Sequence, residues 1–338
     1  MISDMEDYLK EDLERDLREC VTELYFNARR FVNTYDLLDD KYLIYTEGEG
    51  QDTMIRLFCV VPSGNLSERI GISRSTVFFS ATLLPVQYYK DLLSKNPEED
   101  YEMYVESPFS TENRLVFTAR DVSSRYTARN VEQYERIAEY IQKIIRGKNG
   151  NYLVFCPSYQ FMDEVYQIFT DHELQKAGNG LKVYRQESNM DEDERQAFLE
   201  RFKESPHETT LGFCVLGGIF SEGIDLKADR LIGSIVIGTG LPGVGSDREL
   251  LKSYFDEKSG QGFDYAYLFP GMNKVLQAGG RVIRSESDQG VIALLDERFN
   301  YTSYRRMFPR EWLPYDKLDI GSVEEKVEKF WTEKLNNL

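Results

Sequence analysis

The sequence predicts an α/β protein in which a parallel sheet is covered on both faces by helices. Three observations support this class: short apolar runs recur along the chain, helical stripes separate them, and several runs are apolar at consecutive positions. Consecutive apolar residues are typical of strands that are buried on both faces, as in a parallel sheet. The alternation of such strands with helices indicates a doubly wound domain.

Eight apolar runs are predicted as strands, and five stretches are predicted as helices. The strands cover residues 55–61, 76–79, 115–118, 152–156, 182–184, 211–216, 234–237 and 291–295. The helices are predicted from apolar residues at three- and four-residue steps. They cover residues 1 to about 40, 131–145, 161–169, 189–202 and 322–338.

The chain carries a large negative charge. Its 338 residues include 41 lysines and arginines against 58 aspartates and glutamates, for a formal net charge of −17. This balance argues against a protein that coats nucleic acid, because contacts with phosphates require cations. Residues 114–148 are an exception, with eight cations and four anions. They predict either a local basic groove or a solvated helix face.

Metal-binding and membrane signals are weak. The four cysteines are far apart and three lie in apolar runs, which favours buried reduced thiols over a zinc site, an iron–sulfur cluster or disulfides. The two histidines lie in polar stretches, which argues against histidine-based metal or triad chemistry. There is neither a run of about 20 apolar residues nor a basic start followed by an apolar run. We therefore expect a cytoplasmic protein with no membrane partner.

Polar residues follow two of the predicted strands. Ser80, Ala81 and Thr82 come after residues 76–79, and Ser158 and Tyr159 come after residues 152–156. Ligands of α/β sheets bind at the carboxyl ends of the strands, where hydroxyl groups can contact a phosphate. Both segments are explained equally well as helix N-caps.

A glycine-rich segment follows the predicted strand 211–216. It begins at Gly217 and continues through Ser221 and Glu222 to Gly223 and Asp225. The glycines allow a close approach of the backbone to another group, and the aspartate could bind a ribose hydroxyl or a neighbouring segment. The alternative is a plain turn between a strand and a helix.

The segment from Gln277 to Arg284 contains two arginines beside two glycines. Arg281 and Arg284 are three residues apart, so on a helix they share a face. Gly279 and Gly280 have low helix propensity, which suggests a close backbone approach. Two guanidinium groups directed at one point suit the charge on a transferring phosphoryl group. The alternative is a helix that forms salt bridges.

In their order these segments resemble the C-terminal half of the superfamily-two DNA helicases of the XPD-like and DinG-like family. SATLLP (80–85) is similar to motif III, VFCPSY (154–159) to motif IV and GGIFSEGIDL (217–226) to motif V. QAGGRVIRSESDQGVIALLDERF (277–299) is similar to motif VI and its following strand. IGTGLP (237–242) is similar to the family's glycine-leucine-proline segment. The resemblance runs from about Phe58 to Leu313.

The resemblance implies a RecA-like parallel sheet and a particular domain organisation. Residues 1–45 would be the end of an arch-like helical insertion, residues 46–108 a remnant of the first motor lobe, and residues 109–338 the second lobe. The sequence contains no G-x-x-x-x-G-K-[ST] and no Asp-Glu-x-His motif. The phosphate-binding loop, the carboxylates for Mg²⁺ and any iron–sulfur cluster are therefore expected in a missing N-terminal lobe, and this chain alone is not expected to hydrolyse ATP.

The resemblance also implies roles for individual residues. Arg284 and Arg281 would be catalytic, with Arg284 as the arginine finger that meets the γ-phosphate of ATP. The remaining roles are nucleotide binding by Gln277, Gly280, Gly223 and Asp225, coupling by Ser80, Ala81 and Thr82, and binding of single-stranded DNA by Ser158, Tyr159, Ser221 and Glu222. The implied activity is translocation in the 5′ to 3′ direction, in DNA repair or replication.

Two other functional classes remain open from the sequence. The chain could be a standalone α/β module that binds nucleic acid or a protein without catalysis. A metabolic α/β enzyme is a weaker alternative, because the sequence shows no paired acid and base and no nucleophile constellation.

Overall fold

The structure, a computed structural model, describes residues 1–11, 14–48, 50, 53–174, 180–204, 206–221, 226 and 228–336. The helices are α1 (Ile2–Tyr8), α2 (Arg15–Tyr35), α3 (Ser63–Ile70), α4 (Val86–Leu93), α5 (Val131–Arg146), α6 (Tyr159–Leu174), α7 (Glu192–Leu199), α8 (Ser246–Ser259), α9 (Phe269–Gly279), α10 (Thr302–Arg305) and α11 (Val323–Asn336). The strands are β1 (Tyr42–Glu47), β2 (Met54–Cys59), β3 (Arg114–Ala119), β4 (Asn151–Cys156), β5 (Leu181–Arg185), β6 (Thr209–Val215), β7 (Gly233–Ile237), β8 (Gly290–Leu295) and β9 (Asp316–Leu318).

The chain divides into two compact units. The first consists of Met1–Phe79, Val86–Tyr101 and Gly245–Gly262, and the second of Ser80–Pro85, Glu102–Val244 and Phe263–Leu338.

The first unit contains helices and one antiparallel ribbon. Strands β1 and β2 pair from Tyr42 opposite Cys59 to Glu47 opposite Met54. Helices α1 and α2 are joined by Glu6, whose carboxylate accepts hydrogen bonds from Tyr25 (2.6 Å) and Arg29 (2.8 Å). The single helix predicted over residues 1 to about 40 is therefore two helices.

The second unit is built on a seven-stranded parallel sheet in the order β5-β6-β4-β7-β8-β3-β9. Every residue of β4 and of β8 is buried, as consecutive apolar runs predict for a parallel sheet. The predicted α/β class and six of its predicted strands are confirmed. Strand β9 was not predicted, because its three residues contain only one apolar side chain and show no periodic pattern.

The amphipathic stripe of α5 packs onto the sheet. Ile137, Ile141 and Ile144 are fully buried within the main hydrophobic core. The helix begins at Asn130, whose side chain accepts a hydrogen bond from the backbone of Gln133, as a helix N-cap does. Helix α11 covers the other end of α5, where a Cβ at Gly147 would lie 2.5 Å from a methyl group of Val327.

The strand predicted over residues 76–79 is wrong. Val77 and Phe79 are 78% and 89% exposed, and within the described residues no strand pairs with this segment. Strand formation requires a neighbour that satisfies the backbone donors and acceptors. An apolar run without such a neighbour stays extended and irregular.

The cysteine prediction is confirmed for two of the three apolar positions. Cys156 and Cys214 are buried, Cys59 is half-buried and Cys20 is exposed, and all four are free thiols. Burial raises the pKa of Cys156 and of Cys214 above the ordinary thiol value, so both remain protonated and unreactive. None of the helices in the described part of the chain is both long and apolar enough to cross a membrane.

The loop after β7 offers a test of the packing. Gly240 has φ +67°, and a Cβ there would lie 2.5 Å from the carbonyl oxygen of Gly271 in α9. We expect Gly240→Ala to lower the free energy of unfolding by about 2 kcal/mol, because both the backbone conformation and the contact oppose a side chain. Gly243→Ala in the same loop meets no atom within 4 Å and should be neutral. Urea denaturation compares them, and equal midpoints would contradict this packing.

Candidate nucleotide and nucleic-acid site

The segments after β4, β6 and β8 lie at one edge of the sheet, because parallel strands place their carboxyl ends together. This is the edge at which α/β proteins bind ligands. Polar residues along this edge are joined by hydrogen bonds.

Ser221 closes the loop after β6. Its Oγ accepts a hydrogen bond from the backbone N–H of Gly217 (2.8 Å) and donates one to the carbonyl of Val215 (3.2 Å). Gly217 has φ +77°, a conformation that glycine adopts at little cost. Ser221 is fully buried, so its hydroxyl faces the inside of the loop. The predicted site residues Glu222, Gly223 and Asp225 lie outside the described residues.

Arg281 binds this loop. Its Nε and Nη2 donate to the carbonyl oxygen of Ser221 at 3.2 and 2.8 Å. The motif V-like and motif VI-like segments are therefore in direct contact. Lys274 lies beside them, since a Cβ at Gly217 would be 2.7 Å from its Cδ. Lys274 was not predicted as a site residue; its only signal in the sequence was its position three residues before Gln277.

The shared helix face predicted for Arg281 and Arg284 is wrong. Helix α9 ends at Gly279 and Gly280 is its C-cap, so both arginines follow the helix. Arg284 begins a turn that Asp288 closes, with the Arg284 backbone N–H donating to Asp288 Oδ2 at 2.7 Å. Both arginine side chains are half-buried. The helix ends here because two consecutive glycines disfavour its continuation.

The glycine pair is explained by the protein's own packing. A Cβ at Gly279 would lie 2.6 Å from the indole ring of Trp312 and 3.2 Å from a methyl group of Ile292. The close approach that the sequence predicts is thus made by Trp312. Gln277 is half-buried on α9, and Gly280 is exposed.

Ser158 and Tyr159 begin α6. The Ser158 Oγ accepts a hydrogen bond from the backbone of Phe161 (3.3 Å), as an N-cap does. The hydroxyl of Tyr159 accepts one from Gln186 (2.8 Å). Gln186 was not predicted as a site residue; its signal in the sequence was a polar residue two positions after the predicted strand 182–184.

Ser80, Ala81 and Thr82 lie in an irregular segment. Ser80 and Ala81 are exposed, and the Ser80 Oγ accepts a hydrogen bond from the backbone of Thr82 (3.1 Å). Their coupling role stays a prediction.

Asp296, directly after β8, is the centre of a buried ion pair. It is fully buried and accepts hydrogen bonds from Arg298 Nε (2.8 Å) and from the backbone and hydroxyl of Ser124 (2.9 and 2.7 Å). Burial by itself raises the pKa of Asp296, but the bonds from Arg298 and Ser124 and the positive charge of Arg298 outweigh it. The result is a pKa below the ordinary value.

The cations of residues 114–148 are largely neutralised. Ion pairs join Arg120 to Asp319, Arg125 to Glu297, Arg136 to Asp121 and Glu132, Lys143 to Glu139, and Arg146 to Glu324. This arrangement favours an ion-paired surface over a continuous basic groove. Within the described residues, no cluster of three or more histidine, cysteine, aspartate or glutamate side chains could hold a metal ion.

The parallel sheet and the loops that meet at its carboxyl edge define a RecA-like lobe of the kind found in helicase motors. The family model described as "Helicase C-terminal domain" matches residues 141–315, which is more than half of the chain. The chain belongs to this family.

Curated helicases are similar along most of the chain. A probable ATP-dependent helicase of Methanocaldococcus jannaschii is 24% identical over 88% of this chain and 46% of its own length. Human regulator of telomere elongation helicase 1 is 25% identical over 85% of this chain and 25% of its own length. The 3′-5′ exonuclease DinG of Bacillus subtilis is 26% identical over 74% of this chain and 26% of its own length. The chain thus spans less than half the length of these relatives.

Solved structures support the same fold. An apo structure of XPD superposes with a TM-score of 0.58 at 18% identity and covers 91% of this chain and 63% of its own. A second XPD helicase structure superposes with a TM-score of 0.56 at 20% identity and covers 91% of this chain and 56% of its own. The predicted resemblance to XPD-like and DinG-like helicases and the predicted RecA-like fold are confirmed.

Proposed function

We propose that this chain is the C-terminal motor-lobe part of an ATP-dependent helicase that moves along single-stranded DNA. The observation that carries the proposal is the contact of Arg281 with Ser221. It joins two segments that are 60 residues apart and that resemble the two nucleotide-binding motifs of a second lobe.

Three cationic side chains on or just after α9 suit a nucleoside triphosphate. Arg281, Arg284 and Lys274 provide guanidinium and ammonium donors, which match phosphate oxygens. In the proposal ATP supplies the phosphoryl group that is transferred to water, and Arg284 and Arg281 stabilise the charge that develops on it. The proposed nucleotide contacts also include Gln277, Gly280, Gly223 and Asp225.

The rest of the proposed ATP site lies in another lobe. The phosphate-binding loop and the carboxylates for Mg²⁺ would come from it, and an iron–sulfur cluster is possible there. The proposed DNA contacts are Ser158, Tyr159 and Glu222, whereas Ser221, predicted as a DNA contact, is fully buried and is proposed to act through its bond to Arg281. Ser80, Ala81 and Thr82 would couple hydrolysis to DNA movement, and 5′ to 3′ movement in DNA repair or replication is the activity that the family resemblance implies.

Assays of the purified chain test this proposal. We expect no ATP hydrolysis with Mg²⁺ and oligo-dT, and restored hydrolysis when the lobe with the phosphate-binding loop is added. Binding of oligo-dT should be weak and should fall about tenfold between 50 and 200 mM salt, because few phosphates are contacted and the net charge is negative. DNA-dependent hydrolysis by the chain alone would contradict the two-lobe proposal. An affinity independent of salt would contradict the DNA contacts.

A further inference from the structure

Gln186 is a buried amide between two segments of the proposed site. It directly follows β5 and is 3% exposed. Its Nε2 donates to the hydroxyl of Tyr159 (2.8 Å), and its Oε1 accepts from the backbone N–H of Val215 (3.0 Å). Its backbone N–H donates to the carbonyl of Phe213 (2.8 Å). Both ends of the side chain are therefore fixed.

These contacts decide which way the amide faces. The N–H of Val215 can only donate, so it must meet the amide oxygen, and the amide NH₂ must then face Tyr159. The Tyr159 oxygen consequently accepts, and its own O–H is left to donate. Gln186 is the one hydrogen-bond partner that the structure gives the Tyr159 hydroxyl within the described residues. Burial raises the pKa of Tyr159, so the proton stays in place at neutral pH.

A half-buried hydroxyl held in this way suits a group that only accepts hydrogen bonds. Phosphate diester oxygens are such acceptors, and Tyr159 lies in the first turn of α6, where backbone N–H groups also attract anions. The amide of Gln186 thus presents Tyr159 as a donor toward a phosphate.

The hydrogen bonds continue from Gln186 to the arginine side of the site. Val215, which donates to Gln186, accepts through its carbonyl from the hydroxyl of Ser221 (3.2 Å). The Ser221 carbonyl in turn accepts from Arg281 (2.8 Å). Tyr159 and Arg281 are therefore the two ends of one continuous chain of hydrogen bonds.

We propose that Gln186 is a positioning residue with two tasks. It holds Tyr159 as a hydrogen-bond donor toward a phosphate of single-stranded DNA, and it couples that contact to the loop that binds Arg281. This inference rests on the proposed function, and it adds the residue that links the DNA contact to the nucleotide contact.

Hydrogen exchange of this chain with and without dT12 tests the coupling. In the wild type, dT12 should slow amide exchange both in residues 158–162 and in residues 215–221. Gln186→Leu keeps a side chain of similar volume that can neither donate nor accept a hydrogen bond. We expect it to retain the slowing at 158–162 and to reduce the slowing at 215–221 about fivefold. Unchanged slowing at 215–221 would mean that DNA acts on this loop directly, and it would overturn the inference.

Two more variants keep the test decisive. Tyr159→Phe removes one oxygen and should also lose the slowing at 215–221, and the double variant should lose no more than either single one. Gln167→Leu is the matched control: the Gln167 amide donates to Asp171 on the exposed side of α6, so both segments should respond as in the wild type.

If Gln186 were merely structural, its substitution would lower the melting temperature but keep the response of 215–221 to dT12, which would contradict the inference. A wild type without any slowing would instead overturn the proposed DNA binding, and the inference with it.

Discussion

Arg284→Ala in the complete helicase is expected to lower ATP turnover about a thousandfold, the size of effect that an arginine finger has on phosphoryl transfer. The affinity for single-stranded DNA should change by less than about threefold. The physical reason is that the guanidinium would act on charge that develops only in the transition state. The turn itself should survive, because Asp288 holds residue 284 through its backbone N–H.

Steady-state ATP hydrolysis and fluorescence anisotropy with oligo-dT measure the two quantities. Arg146→Ala is a matched control, since Arg146 ends α5 and its side chain pairs with Glu324 of α11. It should retain wild-type turnover. If Arg284→Ala lowers turnover and DNA affinity by the same factor, Arg284 is a DNA-binding or structural residue and not an arginine finger.

Asp296→Asn is expected to lower the free energy of unfolding by about 3–5 kcal/mol. The substitution leaves the guanidinium of Arg298, whose side chain is 14% exposed, without its carboxylate, and an unpaired buried charge is costly. Asp163→Asn breaks an exposed pair with Arg185 and should have little effect, as exposed pairs contribute little. Urea denaturation at pH 7 compares them. If the two variants lost equal amounts of unfolding free energy, Asp296 would not be desolvated in solution.

The same carboxylate gives a defined dependence on pH. The pKa of Asp296 in the folded protein lies below its ordinary value of 3.8. Its stabilising contribution is therefore complete above that value and is lost as the pH falls through the folded-state pKa. Between pH 4 and pH 2 the free energy of unfolding of Asp296→Asn should fall less steeply than that of the wild type. If the free energies of unfolding of the two proteins fell with equal slopes over this pH range, the lowered pKa of Asp296 would be contradicted.

The sheet was predictable because its strands are buried on both faces. Runs such as 152–156 and 291–295 are apolar at every position, which is typical of strands that are buried on both faces of a parallel sheet. The run 76–79 (TVFF) has three consecutive apolar residues and is not a strand. Its composition could not show this, since strand formation depends on a neighbour that the local sequence does not specify.

The site was predictable in part. The family resemblance assigns the loop after β6 and residues 277–284 to one nucleotide site, and in the structure Ser221 and Arg281 of these two segments are in contact. The sequence could not show why position 279 requires glycine, because the requirement comes from the contact with Trp312, 33 residues further along the chain. It also could not reveal Gln186, whose importance arises from hydrogen bonds to residues that lie 27 positions before it and 29 after it.

The position of β3 within the sheet has a consequence for how the chain acquires its structure on the ribosome. Residues 114–118 pair with residues 290–294 on one side, and residues 117–119 pair with residues 316–318 of β9 on the other. Strand β3 therefore leaves the exit tunnel long before either neighbour has been synthesised. Closing such a long loop is slow, so the apolar residues of β3 must be shielded from aggregation until both neighbouring strands have been synthesised.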